Sequence, residues 1–428
     1  MPADNSYAMS YSVKLKNKAQ LPYYVRALYQ HKYTLKQVSE STGYSIDHLC
    51  RLRKKYALYG DKIFEHGNIG HIPKNKIDLS LRSKIALLYS SDDYSDLNFS
   101  YFCQCLKDYE NINVSLSTLR NIMAEYGFIS PEGRKRKKKK QVHRPRIRRA
   151  CEGDLLQIDG TPYAWFYKSG DENRYCLSGG IDDATGKITG LYFTENECLY
   201  GYLEILRQTS ASYGLPREIY SDRAAIFCVT PKNKHLAQWE KLEVMKEQRT
   251  QWQRICSELH INQILAWSPE AKGRVERMWR TIQGQLPIWL KKNNISTIED
   301  ANKEIYRYIE SFNNKYAVEA ADDDTYWIDA PADLEDILIA QFPRRADKVG
   351  SVSFQGTLFH APTAPDFSRA DIVVCINEHG IYAKYLGQYY PLVPVDGYIL
   401  ETDRDHMPQV VINIIYRYLY AFGKEISA

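Results

Sequence analysis

Three strand-like segments close together in sequence most constrain the fold of this chain. Leu155–Asp159 has the apolar character of a buried strand, and Arg174–Asp182 and Ile188–Phe193 are two further runs of this kind. The residues between the last two, Asp183–Lys187, have the composition of a tight turn. The sequence therefore predicts a strand followed by a β-hairpin.

A helix and a fourth strand follow the hairpin. Thr194 and Glu197 have the T-x-x-E spacing of a capping box, which predicts a helix over Cys198–Tyr213. Pro216–Asp222 is predicted to be the next strand. Three strands, a helix, a strand and further helices predict a mixed sheet with helices on its faces. This order matches an α/β RNase H-like core, which we place at residues 151–318.

Three acidic residues have the positions that metal-assisted phosphoryl transfer on DNA needs. Asp159 lies in the first strand, Asp222 ends the later strand, and Glu276 lies on a predicted helix. Mg²⁺ prefers oxygen ligands and keeps several waters, so a few carboxylates and a substrate phosphate suffice to bind it. Two such ions about 3.5–4 Å apart can activate the attacking oxygen and stabilise the leaving one. We therefore expect these three residues to be catalytic and to bind the metal.

The segment that carries Glu276 has helical features. Ser268 is a candidate N-cap with Pro269 at the first helical position. Apolar residues follow with core spacing: Val275, Met278, Trp279, Ile282 and Leu286. Glu276 is four residues from basic residues on either side, and the candidate DNA contacts are Lys272, Arg274 and Arg280. A solvated ladder of salt bridges would explain the same charges without a metal.

Other acidic residues of the core are rival metal ligands with simpler explanations. Asp182 and Asp183 lie at the hairpin tip, where aspartate is favoured by turn geometry alone. Glu195 and Glu197 are expected to serve the start of the helix. Asp154 is expected at the edge of the first strand.

Residues 12–65 are predicted to form a DNA-binding helix-turn-helix domain. Gly43 supplies a left-handed turn at low cost, and Ser45 caps the second helix with His48 at N3. Ile46 and Leu49 are expected to point inward. The exposed face would then present Ser45, Asp47, His48, Arg51 and Lys54 to DNA. An ordinary three-helix packing unit fits the same pattern.

Residues 77–131 are predicted to form a second helix-turn-helix domain. Ser115 is a good N-cap, and Leu116, Leu119 and Met123 form one apolar side of the following helix. The residues left to face DNA are Ser117, Thr118, Arg120 and Asn121.

The basic character of the chain comes from one linker, residues 132–150. Arg134–Arg149 contains 11 Lys or Arg among 16 residues, whereas the rest of the chain has 46 basic and 52 acidic residues. Such a block favours contact with nucleic acid. The candidate DNA contacts are Arg134, Lys135, Arg136, Lys137, Lys138, Lys139, Lys140, Arg144 and Arg146.

The C-terminal part changes character again. Residues 344–400 contain short alternating segments separated by turns, which predicts a small β-barrel, and residues 401–428 form a tail. The chain lacks an apolar run long enough to span a bilayer and lacks a signal-peptide pattern. Its nine scattered cysteines do not suggest a disulfide framework or a zinc site. We therefore expect a soluble cytoplasmic, nucleoid-associated bacterial protein.

These features together resemble the transposases of bacterial insertion sequences that share the retroviral-integrase-type core, in particular the ISNCY group. Asp159, Asp222 and Glu276 resemble the D-D-E triad. The segments similar to the motifs of that group are Gln157–Pro162, Ile181–Lys187 and Ser268–Arg277. The resemblance covers the helix-turn-helix units, the basic linker, the core and the β-barrel, a multidomain α+β chain.

The resemblance implies a polynucleotidyl transferase. Water would cleave transposon ends at terminal inverted repeats, and the freed 3′-hydroxyl would attack target DNA, with two Mg²⁺ (or Mn²⁺) ions in one site. The implied partners are both DNAs and further copies of the chain, as a homodimer or larger assembly, with no membrane and no nucleotide cofactor. Two alternatives are a domesticated homologue that only binds DNA and an RNase H-like nuclease without strand transfer.

The chain also departs from the retroviral pattern. Asp222 and Glu276 are 54 positions apart, and residues 231–256 are predicted to be a helical insertion that accounts for this distance. Arg223 follows Asp222 where retroviral enzymes typically have asparagine. The retroviral zinc-binding domain has no counterpart in this sequence. These departures concern the DNA contacts rather than the triad.

Overall fold

The structure of the protein is a computed structural model. It describes residues 20–65, 77–131, 147–229, 249–266, 273–395 and 407–421. The chain divides into two compact units, residues 1–82 and 83–428. Within the described ranges, no helix is long and apolar enough to cross a membrane.

The first unit is built around three helices, α1 (Leu21–Tyr29), α2 (Leu35–Thr42) and α3 (Ile46–Tyr59), followed by a 3₁₀ turn. Their shared core contains Leu28, Val38 and Leu49. The local predictions at the turn are confirmed, because Gly43 is left-handed with φ +73° and the Ser45 side chain accepts from the His48 amide. The prediction for Ile46 is wrong: it is exposed, since the first helical position lies outside this small core.

Three more helices follow: α4 (Leu79–Tyr89), α5 (Phe99–Glu110) and α6 (Leu116–Glu125). Ser115 caps α6 as predicted, by accepting from the Thr118 amide. These helices are not isolated from the core. The Tyr101 hydroxyl donates to the Gln285 carbonyl at 3.2 Å, and Lys168 pairs with Asp96 at 2.6 Å.

The second unit contains a five-stranded mixed sheet. Its strands in chain order are β1 (Leu156–Tyr163), β2 (Tyr175–Asp182), β3 (Ile188–Thr194), β4 (Glu218–Ser221) and β5 (Asn262–Leu265). The spatial order is β3-β2-β1-β4-β5. The first three strands pair antiparallel, whereas β4 and β5 run parallel to β1. The predicted hairpin, fourth strand and mixed sheet are confirmed.

Helices cover both faces of this sheet. On one face lie α7 (Leu199–Ser212) and α8 (Gln251–Glu258). On the other lie α9 (Gly273–Gln283), α10 (Leu286–Lys292) and α11 (Ile298–Tyr316). Side chains alternate along β1, so Leu156 and Ile158 join the core of the α7 face. Asp159 consequently points to the α9 face. Of the predicted helical insertion, residues 231–248 lie outside the described residues.

The predicted capping box at Thr194 and Glu197 is wrong. Thr194 is still part of β3, where it pairs with Cys176, and its hydroxyl donates to the Asn196 carbonyl at 2.6 Å. The N-cap of α7 is Cys198, which makes no side-chain capping bond. Sheet pairing therefore overrides the local motif, although the helix itself forms close to the predicted bounds.

The C-terminal region consists of two small sheets and a helix. After α12 (Leu334–Ile337), the strands are β6 (Ala340–Arg345), β7 (Val352–Phe354), β8 (Thr357–His360), β9 (Asp371–Asn377), β10 (Gly380–Tyr385), β11 (Gln388–Pro391) and β12 (Val393–Pro394). The first sheet has the order β11-β10-β9-β6, and the second has the order β12-β8-β7. The predicted barrel stays a prediction, because the described strands form two separate sheets. Residues 396–406 lie outside the described residues.

The predicted C-terminal tail contributes to this region. Helix α13 (Gln409–Ile415) continues into a π-helical turn, Tyr416–Tyr420. Val411, Ile414 and Leu419 are buried in the same core as the strands. The segment is therefore part of the folded C-terminal region.

Candidate active site

Asp159, midway along β1, lies level with Asp222, which directly follows the end of the neighbouring parallel strand β4. The register pairs Leu156 with Ile219 and Gln157 with Tyr220. Each aspartate is two residues beyond the last of these pairs, and adjacent strands lie about 4.8 Å apart. Both side chains are half-buried. The sheet therefore brings the two aspartates together, as the sequence predicted.

A short turn fixes the direction of the Asp222 side chain. Asp222 follows directly after β4, and its Oδ1 accepts a hydrogen bond from the Ala224 amide at 2.8 Å. An aspartate that bonds the backbone two residues ahead forms a local turn of its own. This hydrogen bond occupies one carboxylate oxygen of Asp222, at the carboxyl end of β4.

Helix α9 contacts Asp159 through a tryptophan side chain. The Trp279 indole nitrogen donates to Oδ2 of Asp159 at 3.1 Å. Gly179 lies opposite Asp159 on β2, and a Cβ atom there would be 2.8 Å from the Trp279 ring. The glycine therefore makes room for the indole, which anchors α9 over the centre of the sheet.

Glu276 lies one helical turn before Trp279. Residues three apart are neighbours on a helix surface, so the glutamate projects from the same side of α9 as the indole. Its side chain is exposed. Among the described residues, no three His, Cys, Asp or Glu side chains are close enough to hold a metal ion together. In this conformation, Glu276 does not complete a ligand set with the two aspartates.

The predicted core face of α9 is confirmed. Val275, Met278, Ile282 and the following Leu286 are buried together with Trp279. The predicted helix start, Ser268 and Pro269, lies outside the described residues. The apolar face of the helix is therefore fixed against the sheet while Glu276 and Arg280 remain exposed.

A fourth carboxylate, Asp183, is fully buried beside this site. Its oxygens accept from the Gln157 side chain, from the Arg274 guanidinium and, at 2.9 Å, from the Arg149 backbone amide. The DNA contact of Arg274 stays a prediction; only 14% of its side chain is exposed, and it forms an ion pair with Asp183. A buried charge requires a partner, and Asp183 supplies one to Arg274.

Two other rival acids, Asp182 and Asp154, have structural roles. Oδ2 of Asp182 accepts from the Thr185 amide at 2.8 Å and from its hydroxyl at 2.7 Å, which closes the hairpin turn. Burial raises the pKa of Asp182, and the bonds from Thr185 act in the opposite direction. Asp154 forms ion pairs with Arg149, at 3.4 Å, and with Arg217.

The predicted DNA-facing side chains of the helical regions are accessible in most cases. On α3, Ser45, Asp47, Arg51 and Lys54 are exposed, while His48 is half-buried and stacks on Tyr44. On α6, Ser117, Arg120 and Asn121 are exposed and Thr118 is half-buried. Lys272 and the basic residues from Arg134 to Arg146 lie outside the described residues. Their roles in DNA binding stay predictions.

Two curated proteins are similar to this chain over most of its length. The transposase of insertion sequence IS1202 from Streptococcus pneumoniae is 31% identical over 321 residues, which cover 68% of this chain and 67% of that protein. The protein y4bF of Sinorhizobium fredii, named as a candidate transposase, is 31% identical over 325 residues. These residues cover 75% of this chain and 68% of that protein. The chain belongs to the insertion-sequence transposases.

Other comparisons add little to this assignment. No protein-family model matches the chain. Among solved structures, the catalytic core domain of HTLV-2 integrase in complex with magnesium is 18% identical, with a TM-score of 0.27, over 40% of this chain and 94% of that one. The fold assignment of this transposase therefore rests on its own sheet order.

Two residues of this transposase site escape prediction from the sequence. The spacing of Trp279 assigns it to the core and gives no sign of its bond to Asp159. A buried indole N–H usually has a hydrogen-bond partner, which is a usable signal. The local sequence assigns Asp183 to a turn, and nothing in it indicates that Arg274 would reach this carboxylate.

Proposed function

We propose that this transposase cuts DNA at the ends of its mobile element and joins the freed 3′-hydroxyl to target DNA. The observation that carries this proposal is the position of Asp159 on β1, level with Asp222 at the end of the adjacent parallel strand β4, with the helix of Glu276 anchored to Asp159 by Trp279. The five-stranded order β3-β2-β1-β4-β5 supports an RNase H-like core. A polynucleotidyl transfer at this point needs no covalent nucleophile from the protein.

Asp159, Asp222 and Glu276 are the residues that would hold two Mg²⁺ or Mn²⁺ ions. All three supply carboxylate oxygens, the donors that these hard cations prefer. For this, the Glu276 side chain has to turn towards the aspartates while α9 stays in place, and its exposed position near the start of α9 is compatible with a change of rotamer. When bound, the ions would activate the attacking oxygen and stabilise the leaving oxygen of the phosphodiester.

DNA would be held by four parts of the chain. We assign base contacts to the exposed faces of α3 and α6 in helix-turn-helix domains, and phosphate contacts to Arg280 and the basic linker. Pairing of two transposon ends would require a homodimer or a larger assembly of the chain. The small C-terminal sheets would complete a barrel-like accessory domain.

A nicking assay tests the proposed cleavage. The substrate is the DNA that flanks the coding region of this protein, incubated with Mg²⁺ and wild type, Asp159→Asn, Asp222→Asn or Glu276→Gln. Wild type is expected to nick at an inverted-repeat boundary and leave a 3′-hydroxyl, whereas the three variants bind the ends without nicking. Glu310→Gln, a change at an exposed position of α11, is the matched control and should nick like wild type.

Strand transfer needs a separate measurement. A precut end with a labelled 3′-hydroxyl is mixed with a supercoiled plasmid, and joined product is expected from wild type alone. Nicking without joining would favour the nuclease alternative. End binding by wild type without nicking or joining would favour the DNA-binding homologue.

A further inference from the structure

The buried carboxylate of Asp183 connects three separate segments of the chain. It accepts from the Gln157 side chain on β1 and from the Arg274 guanidinium on α9. It also accepts from the backbone amide of Arg149, where the basic linker meets the core. The Asp183 side chain is entirely inaccessible to solvent, so water does not compete for these hydrogen bonds at the carboxylate.

Two partners of Asp183 each lie two residues before a proposed catalytic acid. Gln157 is two residues before Asp159 on β1, and residues two apart on a strand point to the same face. Arg274 is two residues before Glu276, at the start of α9. One carboxylate therefore contacts both the strand of Asp159 and the helix of Glu276, close to each acid.

We propose that Asp183 is a positioning residue that fixes the start of α9 against β1 and thereby holds the backbone of Glu276 where its side chain can turn towards Asp159 and Asp222. This inference rests on the proposed function for its catalytic consequence. Trp279 anchors the middle of α9 to Asp159, whereas the ion pair of Arg274 with Asp183 anchors its first turn. Together with the buried apolar face of α9, these two polar contacts restrict the tilt and the rotation of the helix.

The charge of the anchor matters because Arg274 is largely buried. An amide in place of the Asp183 carboxylate has only one acceptor oxygen and cannot neutralise the guanidinium. Arg274 would then turn towards solvent and release the first turn of α9, since a poorly compensated buried charge is costly. Asp154 offers a matched control, because it is also buried but forms its ion pairs with Arg149 and Arg217 instead of with α9.

Hydrogen–deuterium exchange of the full-length, metal-free protein tests the positioning directly. Amides of residues 273–283 are expected to exchange at least about tenfold faster in Asp183→Asn than in wild type, the effect of losing a charge-assisted bond. Arg274→Gln, which removes the other partner, should produce the same local change. Asp154→Asn should leave these amides at the wild-type rate.

The nicking assay supplies the catalytic readout. Asp183→Asn and Arg274→Gln are expected to nick at least about tenfold more slowly while binding the ends normally, and the double variant should be no worse than the poorer single variant. Asp154→Asn should nick within a few-fold of wild type. Glu276→Gln should abolish nicking without accelerating exchange in 273–283.

Specific outcomes would overturn the inference. Wild-type exchange in 273–283 for both Asp183→Asn and Arg274→Gln would show that Asp183 does not hold α9. Slow nicking without faster exchange would assign Asp183 a different role. If Asp183→Asn unfolds globally, the Arg274→Gln exchange alone decides. If wild type fails to nick at all, the proposed function fails, whereas the exchange data still decide whether Asp183 fixes α9.

Discussion

The indole nitrogen of Trp279 lies 3.1 Å from Oδ2 of Asp159, so a residue of the helical core restrains a proposed metal ligand. The bond crosses from α9 to the central strand of the sheet. It sets the direction of the carboxylate and the position of the helix at the same time.

Trp279→Phe should distinguish the contribution of this hydrogen bond from that of the aromatic packing. Phenylalanine keeps an aromatic side chain in the core but cannot donate, and a hydrogen bond of this kind contributes about 1 kcal/mol. We expect nicking to fall several-fold, measured in single turnovers at saturating DNA. Trp165→Phe is the control, because that indole donates to the Tyr175 carbonyl and not to Asp159. Equal nicking by the two variants would contradict the role of Trp279.

Gly179→Val should displace the Trp279 indole from its position against β2. A Cβ atom at this position would lie 2.8 Å from the Trp279 ring and 2.9 Å from a Leu191 methyl group. Overpacking of a core costs about 1–3 kcal/mol, so we expect a lower melting temperature together with loss of nicking. At Gly284 an added Cβ would meet only ordinary contacts of 3.6 Å, and Gly284→Ala should leave both properties unchanged. An active, stable Gly179→Val variant would show that α9 tolerates displacement.

The basic linker should determine the salt dependence of DNA binding. Removal of one cation that neutralises a phosphate lowers the slope of log K against log salt by about 0.9. Replacing Lys137, Lys138, Lys139 and Lys140 with glutamine is therefore expected to flatten the slope measured by fluorescence anisotropy. Lys348→Gln, at an exposed lysine of the C-terminal region, should preserve it. A slope unchanged by the four linker substitutions would make this segment a passive spacer.

Arg51→Ala should weaken binding to transposon ends without destabilising the first unit. Arg51 is exposed on α3, where its side chain donates to the Asp47 carbonyl of the same helix at 3.3 Å. Removal of a DNA contact of this kind costs about 1–3 kcal/mol, which is roughly a 5- to 150-fold loss of affinity. Lys36→Ala, an exposed change on α2, is the control for general charge loss. If both variants bind alike, α3 does not face the DNA.

The local predictions succeed where neighbours in sequence decide the structure. Ser45 and Ser115 cap their helices, Gly43 takes the left-handed turn, and Asp182 closes the hairpin because each bond spans a few residues. The capping box at Thr194 fails for the opposite reason. Its competitor is a strand pairing with Cys176, a contact that the local motif does not contain.

The sequence by itself predicted which carboxylates act, and it determined the strands β1 and β4 and the helix α9 that position them. The tertiary structure decided which of them meet: parallel pairing of β1 and β4 brings Asp159 next to Asp222, and a buried ion pair takes Arg274 away from the surface. The sequence placed Glu276 on the correct helix, but its distance from the aspartates depends on how α9 packs. Contacts between distant segments follow from the packing and burial of the whole core, which no local spacing encodes.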